Sequence, residues 1–329
     1  MTTQPNIIYI MTDQHAGSAM SCAGTKHVRT PAMDHLAETG VRFDAAYTSF
    51  PLCVPARTSM FTSRMPHELG IFDNYTWDPG DMPYPMLGRL AADGGYRTHY
   101  IGKWHIQSVP ESREDLHGFS RVMFGGGYGG SDRGKTEEAI RFLRSEGTEP
   151  FFLVVSYNNP HDCCELSRGD ALRMAPIPES PGVEELPPLP ENRGAPVGEP
   201  SVIGAFRERL GAYIRAANWN EEQTRRYLWG YYRLVEMVDA EIGRVLGVVE
   251  ELGLRENTVI IYASDHGDGM GSHRWNQKWS FYDESVRVPL IVCAPDAERP
   301  GRVHRGPVSA TLDLMPTVLA YACIPPVEG

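Results

Sequence analysis

Polar side chains able to act as acids, bases or metal ligands follow four short apolar runs of the sequence. Each run has the length and β-rich composition of a buried strand, and the polar residues come where the strand would end. The residues near these ends are Asp13, Gln14, Lys103, His105, His161, Asp265 and His266. Because ligands of open α/β sheets bind outside the carboxyl ends of the strands, we expect these side chains to meet at one sheet edge.

Two of the strand ends offer ligands for a hard metal ion. Asp13 with Gln14, and Asp265 with His266, supply carboxylate and amide oxygens together with an imidazole. Such a set suits one divalent cation, Ca²⁺, Mg²⁺ or Mn²⁺. The alternative is that both aspartates only cap turns, where aspartate is common. The polar partner beside each aspartate favours the metal site.

Cys53 is the other distinctive residue, in the stretch "SFPLCVPARTSMFTSRMPHELG". The residues after Pro55 are helix-like, so Cys53 lies near a helix N-terminus, where an anion is favoured. Arg57 follows one turn later and can donate to an oxyanion. An ordinary buried cysteine is the alternative. Because sulfur is a poor ligand for a hard metal, the site suits oxygen chemistry at a position encoded as a thiol.

The elements that would position these residues alternate between strands and helices. The predicted strands are "NIIYIMTD", "YRTHYIGK", "PFFLVVSYNNPH", "TVIIYASDHGDG" and "VPLIVCAPD". The predicted helices are "TPAMDHLAETG", with Thr30 as N-cap and Gly40 as stop, "PMLGRLAADGG", "KTEEAIRFLRSEG", residues 221–253 and "LDLMPTVLAYA". This alternation predicts the α/β class, with a large, mostly parallel central sheet covered by helices on both faces.

The chain of 329 residues fits one large α/β domain or two smaller ones and has no internal repeat. Two segments interrupt the alternation of strands and helices. The stretch "MFGGGYGGSDRG" is glycine-rich and predicts a loop. Residues 176–200 are rich in proline and glutamate, and we expect a long surface excursion that covers the cleft as a lid.

Composition limits the partners and the compartment. The formal net charge of -11 argues against nucleic acid or an anionic membrane as main partner, although local cations can reverse the field inside a cleft. The six cysteines lack zinc spacing and are interpreted as mostly reduced thiols. The N-terminus has neither a basic segment nor a cleavage site, and no apolar run could span a membrane. We expect a cytoplasmic protein, or a periplasmic or secreted one if a signal was removed.

The segment "CVPAR" resembles Cys-x-Pro-x-Arg, the maturation signature of the type I sulfatases in the alkaline-phosphatase superfamily. The resemblance continues in family order through "NIIYIMTDQ", "TPAMDHLAETGVRFDAAYTSF", "YIGKWH", "NNPH", "SDHGD" and "QKWSFYDESVRVPLIV". One short motif would carry little weight, whereas this ordered set covers nearly the whole chain. It implies a sulfatase catalytic domain over residues 1–329 that hydrolyses a sulfuric ester.

The resemblance also implies a role for each residue. In the family, a formylglycine-generating enzyme oxidises the signature cysteine, here Cys53, to formylglycine, whose hydrated form supplies the nucleophile. The implied metal ligands are Asp13, Gln14, Cys53 as formylglycine, Asp265 and His266. The implied catalytic residues are Cys53, Arg57 and His105 at the hydrated aldehyde, Lys103 and Lys278 on the sulfate oxygens, and His161 as general acid. Taken singly, the lysines could be solvated, His105 a packed core histidine and His161 a turn cap.

The sequence departs from the family in two respects. Gln14 stands where many sulfatases have a second aspartate, and His266 stands where asparagine is common. This set also resembles phosphonate monoester hydrolases and related phosphodiesterases, so that Mn²⁺ or Mg²⁺ could replace the expected Ca²⁺. The chain also stops at Gly329, without the C-terminal subdomain usual in the family, so the subdomain is absent or the chain is truncated.

The substrate class is predicted from one further motif. The stretch "NNPHDCCE" resembles segments of bacterial sulfatases of glycosaminoglycan-like sugars and favours a sulfated carbohydrate over an aryl sulfate. Candidate substrate contacts are Asp162, His273 and Arg274, with His67 and Asn74 of similar standing. Three hypotheses stay open: a sulfatase, a phosphonate or phosphodiester hydrolase, and a binding protein with an unconverted cysteine. The oligomeric state is left open.

Overall fold

The computed structural model describes residues 4–327 except 76–81, 107–108, 121, 124–129, 146, 148, 195 and 298. Its strands are β1 (Asn6–Asp13), β2 (Val41–Tyr47), β3 (Arg97–Gly102), β4 (Val122–Met123), β5 (Phe151–Pro160), β6 (Thr258–Ser264), β7 (Leu290–Cys293) and β8 (Arg302–Ser309). They form one sheet in the order β4-β3-β5-β1-β6-β7-β2-β8. Only β7 runs antiparallel to its neighbours β6 and β2 among these strands, so the mostly parallel sheet is confirmed.

The centre of the sheet is formed by the most apolar strand. In β1, Ile8 pairs in parallel with Leu153 of β5 on one side and Ile260 of β6 on the other. Side chains alternate along β1: Ile8 and Ile10 contribute to one buried cluster, whereas Ile7 and Tyr9 contribute to a second. A strand buried on both faces needs an unbroken apolar run, which explains why β1 was predictable from composition.

Helices cover both faces. They are α1 (Pro31–Thr39), α2 (Cys53–Thr62), α3 (Pro66–Leu69), α4 (Leu87–Asp93), α5 (Glu114–His117), α6 (Asp132–Leu143), α7 (Cys163–Arg168), α8 (Ser201–Arg209), α9 (Glu221–Glu251), α10 (Asp283–Val286) and α11 (Leu314–Tyr321). Helices α1, α6 and α9 pack on the first cluster, and α2, α4 and α11 pack on the second. The predicted start of α1 is confirmed, with Thr30 as N-cap and Gly40 after its last residue.

Several elements differ from the sequence expectations. Strands β2, β4 and β8 were not predicted, and the last of these has an exposed, charged outer face that hides its pattern. The glycine-rich stretch lies partly outside the described residues, and its last part is not loop, because α6 begins at Asp132 with Ser131 as N-cap. In the described part of the chain, no helix combines the length and the apolar composition needed to cross a membrane.

The excursion at 176–200 does not take the place expected of a lid. It runs along α9, where Arg225 donates to the backbone oxygens of Leu186 and Pro187 at 2.7 and 2.8 Å. None of its described residues lines the cleft at the carboxyl edge of the sheet. In the segment that follows the excursion, Ala212, Tyr213 and Arg215 line the cleft.

Candidate active site

The four predicted strand ends come together because their strands are neighbours in the sheet. Strands β3, β5, β1 and β6 are consecutive and parallel, so their carboxyl ends share one edge. Asp13 is the last residue of β1, and Lys103, His161 and Asp265 each directly follow a strand. Cys53 enters the same site as the first residue of α2, all of whose residues are buried.

Two carboxylates, a thiol and an imidazole form a compact buried cluster. Asp13, Cys53, Asp265 and His266 each offer one ligand atom, and these atoms lie within 4.8 Å of one another. The Nδ1 of His266 lies 2.9 Å from the backbone oxygen of Gly267. A carbonyl only accepts, so Nδ1 carries a proton, and Nε2 faces the cluster, where it offers a lone pair to a cation once it has lost its own proton. Two buried carboxylates beside this lone pair fit a divalent cation.

Arg57 ties the strand ends together. Its Nε donates to Asp265 Oδ2 at 2.8 Å, and its Nη2 donates to Asp13 Oδ2 at 3.0 Å. Its Nη1 donates to the backbone oxygen of Lys103 at 2.6 Å and to Ser156 Oγ at 3.0 Å. Through these bonds the guanidinium connects four neighbouring strands, β1, β3, β5 and β6, by residues that belong to them or directly follow them. Arg57 therefore orients the two carboxylates, a positioning task beyond the predicted support of the residue at position 53.

Cys53 lies among cations. Its Sγ is 3.0 Å from Lys278 Nζ, 3.2 Å from His266 Nε2 and 3.9 Å from Lys103 Nζ. Burial alone raises the pKa of the thiol, but the two lysines and the imidazole outweigh it and hold the pKa well below its ordinary value. The surroundings therefore stabilise negative charge at this position, as the site of an oxyanion would require.

Asp13 is held ionised by the same cations. Lys103 Nζ lies 2.5 Å from Asp13 Oδ2. Burial and the Cys53 sulfur oppose ionisation, but the charges of Lys103 and Arg57 outweigh them, so the pKa of the Asp13 carboxyl is below its ordinary value. An ionised carboxylate at this depth is ready to bind a cation without first losing a proton.

His161 and Lys278 form a pair at the mouth of this cluster. Lys278 Nζ lies 3.2 Å from His161 Nε2, and His161 Nε2 lies 4.0 Å from Asp13 Oδ1. Burial, followed by the charges of Lys278 and Lys103, lowers the pKa of His161 to about 3. Before substrate binds, the protonated member of the pair is therefore Lys278. A general-acid role for His161 requires an anion in the site to offset the lysine charges.

Gln14 joins a polar network behind the cluster. Its backbone N–H donates to Asp265 Oδ1 at 3.1 Å, and its Nε2 donates to Asp268 Oδ2 at 2.8 Å. Asp268 also accepts from Tyr227 Oη at 2.9 Å and from the backbone N–H of Gln277 at 2.9 Å. The role of Gln14 as a metal ligand stays a prediction, while this network fixes the loop that carries Lys278.

A cleft of about 690 Å³ opens above these residues. Its inner wall contains Cys53, Lys103, His105, His161 and Lys278, which were all predicted as catalytic. Asn74 also lines it, and its Oδ1 accepts from the backbone N–H of Val54 in the first turn of α2. A cleft of this volume is within the range of small-ligand sites, which spans about 300–1,000 Å³.

Of the five predicted substrate contacts, Asn74 lines this cleft and the other four do not, so that their role in substrate binding stays a prediction. His273 and Arg274 do not line this cleft: their backbone N–H groups donate to Asn192 and Arg193 of the excursion, and the His273 ring stacks on Tyr282. His67 is exposed and also lies outside the cleft wall. Asp162 is buried below the wall, where its Oδ2 accepts from the backbone N–H of Met174 at 2.7 Å. Asp162 anchors a loop and does not face the cleft.

Comparison with known proteins identifies the family. The Sulfatase family profile matches residues 5–324. The chain belongs to the sulfatase family. Its curated relatives include an N-acetylglucosamine-6-O-sulfatase of Bacteroides thetaiotaomicron, which is 30% identical, with 98% of this chain and 68% of the relative covered. An ulvan-active sulfatase of Formosa agariphila is also 30% identical, with 99% of this chain and 63% of the relative covered. This sulfatase chain thus spans about two thirds of their length.

Solved structures agree with the fold. A 2-O glycosaminoglycan sulfatase has a TM-score of 0.82 and 28% identity, covering 98% of this sulfatase and 72% of that chain. A protein solved in complex with its substrate D-glucosamine-2-N,6-O-disulfate has a TM-score of 0.74 and 26% identity, covering 99% of this sulfatase and 78% of that chain. The phosphonate monoester hydrolase of Agrobacterium radiobacter has a TM-score of 0.72 and 22% identity, covering 98% of this sulfatase and 74% of that chain. At this identity the likeness shows a shared fold alone. The expected alkaline-phosphatase-like sulfatase fold is confirmed.

Sequence reasoning missed the outer wall of the cleft and the support behind it. The missed wall residues are Glu165, Arg168, Arg173, Tyr213, Arg215 and Trp279. No local pattern marks them, since they come from three separate segments. Asp268 did have a signal: it stands in "SDHGDG", three residues after a predicted metal ligand, and its buried carboxylate accepts several hydrogen bonds.

Proposed function

We propose that this protein hydrolyses sulfuric esters of carbohydrates and releases inorganic sulfate, after Cys53 has been oxidised to formylglycine. The observation that carries the proposal is the position of Cys53. It is the first residue of a buried helix, with Lys278 Nζ at 3.0 Å and His266 Nε2 at 3.2 Å from its sulfur. In the unmodified chain, Sγ stands where the hydroxyl oxygens of the hydrated aldehyde would lie.

The charges of the site fit a sulfate ester. Asp13 and Asp265 contribute two negative charges, and Arg57, Lys103 and Lys278 contribute three positive charges. With a divalent cation added, the site becomes strongly positive, and it is buried from water. Such a site attracts an anionic ester and stabilises charge that develops on the sulfuryl oxygens.

Each residue then has a defined task. Asp13, Asp265 and His266 would hold the cation, which supplies Lewis-acid polarisation of a bound oxygen. Formylglycine, once hydrated, supplies the attacking hydroxyl and a second hydroxyl whose deprotonation releases sulfate. Lys103 and Lys278 are placed to bind sulfate oxygens, because both ammonium groups reach Cys53 Sγ within 3.9 Å. Bound sulfate would satisfy these lysines and restore the basicity of His161, which can then donate a proton to the departing alcohol.

The substrate class rests on the relatives. Two of them are named for N-acetylglucosamine-6-O-sulfate and for ulvan, and a third is a Δ4,5-hexuronate-2-O-sulfatase of Bacteroides thetaiotaomicron. These names describe carbohydrate substrates. An arylsulfatase of Clostridium perfringens is also a relative, at 27% identity, so the preference for a sulfated sugar rests on the carbohydrate sulfatases being the more similar ones. We further propose Ca²⁺ as the bound ion, with Mn²⁺ and Mg²⁺ as alternatives, and a formylglycine-generating enzyme as the maturation partner.

The experiment is expression with and without a formylglycine-generating enzyme, followed by mass analysis of the Cys53 peptide and assays of sulfate release. Matured protein should hydrolyse sulfated sugars and 4-nitrophenyl sulfate, and unconverted protein should not. Phenyl phosphonate monoesters serve as the comparison substrates. Faster turnover of the phosphonate esters by matured protein would replace the sulfatase proposal with the phosphonate hydrolase alternative, which shares this fold.

A further inference from the structure

Three arginines line the outer cleft, away from the lysines assigned to the sulfuryl group. They are Arg168, Arg173 and Arg215. Glu165 is the one acidic residue among the described residues that line the same cleft. In a chain with a net charge of -11, this concentration of cations is local. Part of this charge is offset, because Asp170 Oδ2 accepts from Arg168 Nε at 2.6 Å. Three arginines against the carboxylates of Glu165 and Asp170 leave one positive charge beyond the two lysines assigned to the sulfuryl group.

Glu165 holds two of the arginines in place. Its Oε1 accepts from Arg168 Nη2 at 2.9 Å and from Arg173 Nε at 2.8 Å. Glu165 is only 3% exposed, and its Oε2 has no hydrogen-bond partner among the described residues. The loop of Arg173 is fixed in turn, because the next residue, Met174, donates its backbone N–H to buried Asp162. Both guanidinium groups are thus preorganised on the wall.

Arg215 comes from a separate segment. It begins a short 3-10 helix at residues 215–218, and its Nε donates to the backbone oxygen of Ala212 at 3.1 Å. Among the described residues, Arg215 makes no ion pair with an acidic side chain. Two aromatic rings, Tyr213 and Trp279, line the cleft near it, with centroids 6.0 Å apart. Half-buried and lacking an acidic partner, this guanidinium is available to an anionic ligand.

We propose that the outer cleft binds a second anionic group of the substrate, so that the preferred ester is a sulfated sugar that also carries a carboxylate or another sulfate. This inference rests on the proposed function and adds a specificity-determining site to it. A planar carboxylate and a tetrahedral sulfate can each present two oxygens to a guanidinium group, which binds them with two parallel hydrogen bonds. Arg173 and Arg215 would bind this group, and Glu165 positions Arg168 and Arg173.

The test uses matured, metal-loaded protein and three esters: N-acetylglucosamine 6-sulfate, a disulfated glucosamine and a sulfated uronate. We expect kcat/KM to be higher by about tenfold or more for the two esters with a second anion than for N-acetylglucosamine 6-sulfate. The difference should come from a lower KM, and its size is that expected of one or two charge-assisted hydrogen bonds. Whichever of the two anionic esters shows the larger advantage identifies the natural group. Equal values for all three esters would overturn the subsite.

Variants locate the effect. Arg215→Ala and Arg173→Gln should each lower the preference ratio severalfold, whereas Arg215→Lys should lower it less because the charge is retained. Arg209→Ala is the matched control: Arg209 is exposed on α8 and does not line the cleft, so removing its charge should leave the ratio unchanged. If Arg209→Ala lowered the preference ratio as much as Arg215→Ala, the preference would come from the overall charge of the protein, and the subsite would be contradicted.

Binding separates this inference from the proposed function. Calorimetry with Cys53→Ala protein measures affinity for the same three esters in the absence of turnover. Suppose that the Cys53→Ala protein prefers the esters with a second anion but the matured wild type has no sulfatase activity. The proposed function would then be wrong and the subsite would stand. Sulfatase activity without any binding preference would keep the function and remove the subsite.

Discussion

At the level of single residues, the surroundings of Cys53 predict what its replacement does. Cys53→Ser keeps one hydroxyl among Lys278, Lys103 and His266 but lacks the second hydroxyl that expels sulfate. We expect the variant to release about one equivalent of alcohol per enzyme and then stop as a sulfated serine, the burst typical of a trapped covalent intermediate. Rapid-quench kinetics and intact mass measure both effects. Sustained turnover at the rate of the matured wild type would contradict the formylglycine mechanism.

The pair of His161 and Lys278 gives the second prediction. If His161 protonates the departing alcohol, His161→Ala should slow sugar esters by about 10²–10⁴-fold and 4-nitrophenyl sulfate by less than about tenfold, since nitrophenolate needs no proton. Lys278→Met should slow both esters alike, because Lys278 contacts the group that is common to them. A loss in His161→Ala that is equal for both esters would assign His161 to sulfate binding.

At the level of elements, α6 clamps the end of β5 that carries His161. Asp132 accepts from the backbone N–H groups of Asn158 and Asn159 at 2.8 and 2.9 Å, and its partner Lys135 donates at 3.0 Å. Asp132 and Lys135 are both buried. Asp132→Ala would leave two buried N–H groups and one buried ammonium without their acceptor.

We therefore expect Asp132→Ala to lower the free energy of unfolding by about 3–5 kcal/mol, the usual cost of removing one partner of a buried ion pair. The matched control is Glu137→Ala on the same helix, whose pair with Arg133 is exposed and whose loss should cost no more than about 1 kcal/mol. Urea denaturation measures both. Similar losses in the two variants would mean that the clamp adds nothing beyond surface charge.

This clamp also shows where sequence reasoning stopped. Strand composition and polar strand ends were enough to predict that Asp13, Lys103, His161 and Asp265 share one edge, because burial on both faces imposes a local apolar pattern. The link from Asp132 to Asn158 joins residues 26 positions apart and leaves no such pattern. The same holds for the arginines of the outer cleft, whose proximity is decided by how α7 and the 212–215 segment fold back over the sheet.

At the level of the whole molecule, charge is distributed unevenly. The chain carries a net charge of -11, while its cleft collects two lysines and three arginines. Surface acids repel anions in general, whereas a cationic cleft with low-dielectric walls focuses attraction locally. We expect kcat/KM for an anionic sugar sulfate to fall as ionic strength rises from about 0.01 to 0.15 M, where the Debye length shrinks from about 30 to 8 Å. A kcat/KM that does not change with salt would mean that the charges of the cleft do not attract the substrate from solution.

Metal binding should couple the active site to the stability of the whole chain. Asp13 and Asp265 end neighbouring strands at the centre of the sheet, and both are fully buried, so the folded protein presents a site that the unfolded chain lacks. A ligand of the folded state alone adds about 2.7 kcal/mol at a free concentration 100 times its Kd. The melting temperature should rise with Ca²⁺ or Mn²⁺ and fall on chelation. Asp265→Asn should abolish this dependence, and an unchanged dependence in that variant would move the ion to another site.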